Sequence, residues 1–459
     1  MRATFSISCV FLLSLGCGED NSSGTASALG DSPTNGGSGA VSTGSQPATG
    51  STTSTGGAAN SAVGGLKATG GAVSGGTSSG ATTSASGAPT SAGRPMVDDP
   101  DPPAPQVSDC NGLGARGVFE EITPPAVKAG IGQSAPSGKK GGTFAMAVDP
   151  VNQGTVYAGT LFQGVWKTTD CGSSWKLIAS GTDGKEVNSG MNWTFAIDPQ
   201  DPNVVYTNSG YGTNGLFKST DGGVNWTDVW SKTSQPELGK SFEYNFANVV
   251  AIDPHDHEHL LLTFHEPCKA PHTPTCIAES KDAGASWTLF DGEPSWNGAE
   301  GQVIWFLDDS STWLWGSQTN GFWRSGDAGK SWKRIAGMET SHKQGSQILR
   351  AKDGTFYAAA SDAIWSSPDG QAETWKAIPN TGPIVGGLVS DGTRMYGSTA
   401  YFEGFGPTKY LTSPESDGKT WEVIPSPTIE HGGNLGYDAG HKLLYSSNLD
   451  SGMWRVVVE

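Results

Sequence analysis

An eight-residue pattern, Ser/Thr-x-Asp-x-Gly-x-x-Trp, recurs four times without a gap: Thr168 to Trp175, Ser219 to Trp226, Ser280 to Trp287 and Ser325 to Trp332. Two looser copies follow. Ser367 to Trp375 carries one extra residue, and Ser413 to Trp421 has Glu415 where the carboxylate should stand, with Asp417 close by. An Asp and a hydroxyl can bond the N–H groups of a tight turn, Gly supplies a positive φ, and Trp plugs the space beneath. Such a turn closes a hairpin, so each copy predicts two antiparallel strands rather than a reactive centre.

The six Trp residues fall 43 to 61 residues apart, close to the length of a four-stranded propeller blade. A second marker counts independently. An Asp ends a short apolar run at Asp149, Asp198, Asp253, Asp308, Asp353, Asp391 and Asp438, which makes seven units. The seventh stops at Glu459 before any hairpin Trp, but Val118 to Ile122 reads like the outer strand that begins at Trp175. The expected fold is therefore all-β: a seven-bladed propeller of four-stranded antiparallel blades, its last blade completed by an N-terminal strand so that no edge stays open.

These residues resemble the Asp-box (BNR) repeats of sialidases, sortilin-type receptors, photosystem II stability/assembly factors and the xyloglucan-hydrolysing glycoside hydrolases of family 74. Asp198 to Tyr206 followed by Gly215 to Asp221 is most similar to the last group. The resemblance covers about residues 118 to 459 and implies a propeller. It does not fix an activity, because one fold hosts many functions. Sialidases grip a carboxylate with three arginines at the mouth. Arg116, Arg324, Arg334, Arg350, Arg394 and Arg455 fall mostly on outer strands or near the turns, which argues against sialic acid. The family 74 enzymes pair two propellers across a cleft and this chain has one, so their catalytic acids are not transferred.

Residues 1–16 read as a signal peptide: Arg2, an apolar run and small residues, too short to span a membrane. Leu15-Gly16-Cys17 resembles a bacterial lipoprotein signal, with Cys17 the lipidated residue, although Ser14 and Leu13 depart from the usual order. Residues 17–105 are rich in Gly, Ser, Thr, Ala and Pro and lack apolar periodicity, so they should form a disordered tether with a reach of roughly 50 Å. Residues 106–459 are the propeller. The expected location is outside the cytoplasm, as an outer-membrane or cell-surface lipoprotein or otherwise secreted, with membrane contact only through the lipid. Four cysteines then remain. Cys268 and Cys276 are eight apart in one loop, and a Cys110–Cys171 bridge would lock the closing strand to the turn of blade one, so two disulfides are expected.

The net charge of −17 disfavours nucleic acid and anionic lipid and leaves neutral polymers and cations as partners. A closed ring is compatible with a monomer. In a propeller the Trp turns and the Asp-Pro turns share one face, and the remaining loops surround the mouth on the other. Glu243 and Glu266 belong to successive loops around one blade and are the candidate catalytic acids. Trp193, Asn192, Tyr244, His265, Trp296, Glu300, His342 and His431 are the candidate substrate-binding residues, since aromatic faces stack on sugar rings. No spacing motif supports a metal site and no cofactor is implied. The functional expectation is a polysaccharide- or oligosaccharide-directed propeller, hydrolytic if the acids are paired, with lyase cleavage second. The alternative is a non-catalytic scaffold for a protein partner.

Overall fold

The structure is a computed structural model. It describes residues 103–459 apart from 133–140, 232, 237–245, 266, 294–301, 318–319, 340–346, 361, 383 and 400–406. Seven four-stranded antiparallel sheets form the ring. Blade one runs Thr143–Val148, Val156–Thr160, Trp166–Thr168 and Lys176–Leu177; blade two runs Phe195–Ile197, Val205–Asn208, Leu216–Ser219 and Thr227–Trp230. Blades three to six repeat this order from Ala247–Asp253, Val303–Phe306, Ile348–Arg350 and Ile384–Ser390, the innermost strands. Blade seven takes three strands from the C-terminus, Leu435–Asp438, Leu443–Asn448 and Gly452–Val457, and its outer strand, Phe119–Glu121, from the N-terminus. Phe119 pairs with Val456 and Glu121 with Trp454. Completion of the last blade by the N-terminal strand is thus observed.

The turns behave as their composition requires. In blade two the Ser219 hydroxyl donates to Asp221 at 2.9 Å and accepts from Gly223 N at 2.9 Å. Asp221 Oδ1 accepts from Val224 N and Asn225 N, both at 2.9 Å, and Trp226 Nε1 donates to the Gly223 carbonyl at 3.0 Å. Burial alone would raise the Asp221 carboxyl, but hydrogen bonds from Asn225, Ser219 and Val224 outweigh it and hold the group below its ordinary range. Positions four and five of the turn lie in the left-handed region, Gly222 at 68° and Gly223 at 99°. In the looser copy of blade six, Asp417 takes the turn role by accepting from Thr420 N at 2.8 Å. Glu415 instead ties blade six to blade five, accepting from Lys352 N at 2.6 Å. One marker shifts by a residue: in blade four the turn aspartate is Asp309, bonded to Ser311 N at 2.7 Å, while Asp308 pairs with Arg350 at 3.0 Å.

The turns of blades one, two and three also receive the preceding blade. Tyr157 Oη and Lys167 Nζ both donate to the Gly222 carbonyl at 3.2 Å. Tyr206 and Lys218 do the same to Ala283, at 3.1 and 3.2 Å. At the ring's seam Arg455, 5% exposed, donates to the Cys171 carbonyl at 2.7 Å and to Glu120 at 3.0 Å. Disulfides join Cys110 to Cys171 and Cys268 to Cys276, with Cα separations of 5.7 and 6.0 Å. Both suit an oxidising compartment. No described helix is long and apolar enough to cross a membrane.

Candidate functional site

Strand order separates two faces. The Trp turns and the turns after Asp149, Asp198, Asp253, Asp309, Asp353, Asp391 and Asp438 share one, and the remaining connections share the other. His265 and His431 belong to the second, the loop face. Arg116, Arg324, Arg350, Arg394 and Arg455 lie toward the turn face, at the strand ends nearest those turns or against the chain's last residues.

Beneath the loop face runs a belt of buried amides that links blades. Asn192, fully buried, donates to the Asn208 carbonyl at 2.6 Å and accepts from Thr160 N at 3.4 Å. Asn208 accepts from Trp193 N at 2.6 Å and donates to the Ala247 carbonyl at 2.5 Å. Asn248 donates to the Gln302 carbonyl at 2.6 Å, and Ser447 donates to Phe144 O at 2.6 Å to close blade seven on blade one. Gln347, ahead of blade five, accepts from Leu388 N of blade six at 3.0 Å and Leu435 N of blade seven at 3.2 Å. That span is open only because Gly387 lacks a Cβ, which would strike Leu435 N and Gln347 Oε1. The central cavity, about 390 Å³, is lined by the inner strands, including Met146, Val250, Ile304 and Trp305, together with Gln347 and Asn434. Among the described residues no carboxylate belongs to that lining.

Above the belt, blades one to three present an aromatic group. Trp193 is 5% exposed, with ring centroids of Phe144 at 4.7 Å, His265 at 5.2 Å and Phe246 at 5.4 Å. His265 stacks on Phe246 at 4.5 Å, and its Nε2 lies 3.4 Å from Tyr211 Oη. Tyr211 reaches furthest into solvent at 39% exposure. At the junction of blades six and seven, the His431 Nδ1 bonds Asp450, and Glu430 N donates to Ser451 Oγ at 3.2 Å. The structure thus brings Asn192, Trp193 and His265 together and sets His431 at the junction of blades six and seven. Glu243, Tyr244, Glu266, Trp296, Glu300, His342 and Cys17 lie outside the described residues. Sequence reasoning missed Tyr211 and Asp450. The Gly-Tyr-Gly run at Gly210 to Gly212 was a usable signal for the first; nothing local marks the second.

On the turn face His259, 5% exposed, sits between Asp253 at 2.8 Å and Glu279 at 2.9 Å. Burial alone would lower its pKa, but hydrogen bonds and charge from both carboxylates push it up to about 9. The imidazolium fastens blade three and is closed to substrate. Cys110, Cys171 and His441 also lie together, but both sulfurs are spent in the disulfide and His441 Nε2 bonds the Ser108 carbonyl at 2.7 Å.

No protein-family model matches the chain. A xyloglucanase of a Paenibacillus species is 24% identical over 316 residues, 62% of this chain and 26% of the relative. One from Hypocrea jecorina is 25% identical over 314 residues, 65% of this chain and 32% of the relative. The likeness is to xyloglucanases. The Niastella koreensis GH74 enzyme superposes with a TM-score of 0.52 at 19% identity, over 74% of this chain and 53% of that one, which supports the propeller fold. This chain spans about a quarter to a third of the relatives' length.

Proposed function

We propose that this protein is exported and engages a polysaccharide of the xyloglucan class on the loop face of its propeller. The observation that carries the reading is the match to two xyloglucanases over nearly two thirds of the chain. The aromatic group at Trp193, Tyr211 and His265 supports it, because sugar rings stack on such surfaces. Asn192, Trp193 and His265, all buried, hold the exposed residues in place; His431 offers a ring nitrogen nearer the surface.

In the hydrolytic form of this reading Glu243 and Glu266 are the acids, Tyr244, Trp296, Glu300 and His342 add contacts, and Glu243→Gln and Glu266→Gln each abolish the release of reducing ends from xyloglucan without changing the melting temperature. Unaltered rates would remove that assignment. The second reading is binding without cleavage, or a scaffold for a protein partner. Retention on immobilised xyloglucan with no new reducing ends separates binding from hydrolysis, and absence of both leaves the scaffold.

Residues 1–16 are proposed to direct export and Cys17 to carry a lipid, with residues 17–105 as tether. Cys17→Ser should move the protein from the membrane fraction to the medium; an unchanged distribution would rule the anchor out.

A further inference from the structure

Three aromatic side chains on the loop face stand on backbone that L-residues avoid: Phe162 at φ 62°, Tyr211 at φ 56° and His431 at φ 54°. Bulky residues rarely occupy this left-handed region, and such outliers cluster where a ligand is held. The three belong to adjacent parts of the ring. His431 leads into blade seven, Phe162 joins the second and third strands of blade one, and Tyr211 does the same in blade two. Phe162 and Leu449 pack on one apolar cluster with Trp193 and Phe246. Asp450, next to Leu449, holds His431. They form one arc.

We propose that this arc is a row of sugar-binding positions, with Tyr211 and Phe162 as stacking platforms and His431 as a hydrogen-bonding group at one end. Tyr211 is supported by the Phe246 ring at 4.9 Å and the Trp193 ring at 6.0 Å, yet is 39% exposed. A ring braced from below with surface open to water is what a platform requires. Bonding of Nδ1 to the Asp450 carboxylate places a proton on Nδ1, so the neutral ring keeps its Nε2 lone pair for a sugar hydroxyl. The net charge of −17 disfavours a polyanionic chain. The inference rests on the polysaccharide reading and centres the contact on blades seven, one and two.

Tyr211→Gly is the discriminating variant. Glycine accepts a positive φ without strain, so the full-length chain should melt at the same or a higher temperature, while calorimetric affinity for a xyloglucan oligosaccharide falls roughly 5- to 10-fold. Phe162→Gly should behave likewise, and Asp450→Asn should weaken binding by freeing the imidazole to turn. If wild type binds the oligosaccharide and these variants bind it equally, the arc is wrong and the polysaccharide reading stands. A Tyr211→Gly chain that melts lower with unchanged affinity makes Tyr211 a structural residue and also overturns the arc. If wild type binds neither the xyloglucan oligosaccharide nor cellohexaose, both fall.

Discussion

The two faces of this ring are made by opposite means. On the turn face the same few residue types meet the same few partners: a hydroxyl and a carboxylate bond the turn, and in blades one to three a Lys or Arg from the preceding blade, joined in two of them by a Tyr, donates to the carbonyl of the turn's fourth residue. On the loop face repetition stops. Bulky side chains hold unfavourable backbone, rings are partly exposed, and the hydrogen bonds that matter lie a layer below, in the amide belt. Where the turn hydroxyl and carboxylate meet repeated partners the molecule is held together. Where the pattern is broken at a local cost, another requirement is being met.

The largest expected effect that could break this contrast is at the seam. Arg455→Met strands Glu120 and the Cys171 carbonyl, and should cost about 3–5 kcal/mol in urea unfolding, with Arg455→Lys recovering part. Asn208→Ala removes the link between blades two and three and leaves Trp193 N and the Ala247 carbonyl unpaired, which should cost about 2–3 kcal/mol; a smaller loss would mean the belt is not structural.

His259→Gln should cost about 2 kcal/mol near neutral pH. Its folded pKa of about 9 lies above the ordinary 6.5, so its stabilisation is complete below about pH 6.5 and fades as pH rises through 9. The difference between wild type and variant should therefore shrink across that window in pH-dependent melting. A difference that grows would contradict the charged clamp. Ser219→Ala is expected to be the smallest, about 1 kcal/mol by chemical denaturation, because one turn among several loses one bonded hydroxyl.

The division between the faces also sets what could be read from sequence. Seven blades, the closing strand and both disulfides were legible because they rest on repeated or local signals: a turn pattern, a strand-ending Asp, a Cys eight residues from its partner, and a Cys beside the closing strand facing one in the turn of blade one. The blade-to-blade latch was legible in principle too, as Val156-Tyr157-Ala158 and Trp166-Lys167-Thr168 recur in altered form at Val205-Tyr206-Thr207 and Phe217-Lys218-Ser219. Blade four shows the limit. Two aspartates stand side by side there, and only backbone geometry decides that Asp309 caps the turn while Asp308 turns to Arg350. The loop face was harder for the same reason. Trp193 and Tyr211 are both aromatic residues in loops, and what buries the first and exposes the second is long-range packing by Phe144, Phe246 and His265. The bond between His431 and Asp450 joins residues 19 apart, with no spacing rule to announce it.

The central claim, that recognition belongs to the loop face, is tested most directly by blocking one face at a time. Thr213 on the loop face and Val224 on a Trp turn are both exposed. A bulky maleimide on Thr213→Cys should abolish retention of the full-length protein on xyloglucan, and the same adduct on Val224→Cys should leave retention as in wild type. Loss of retention from the Val224 adduct alone would contradict the account.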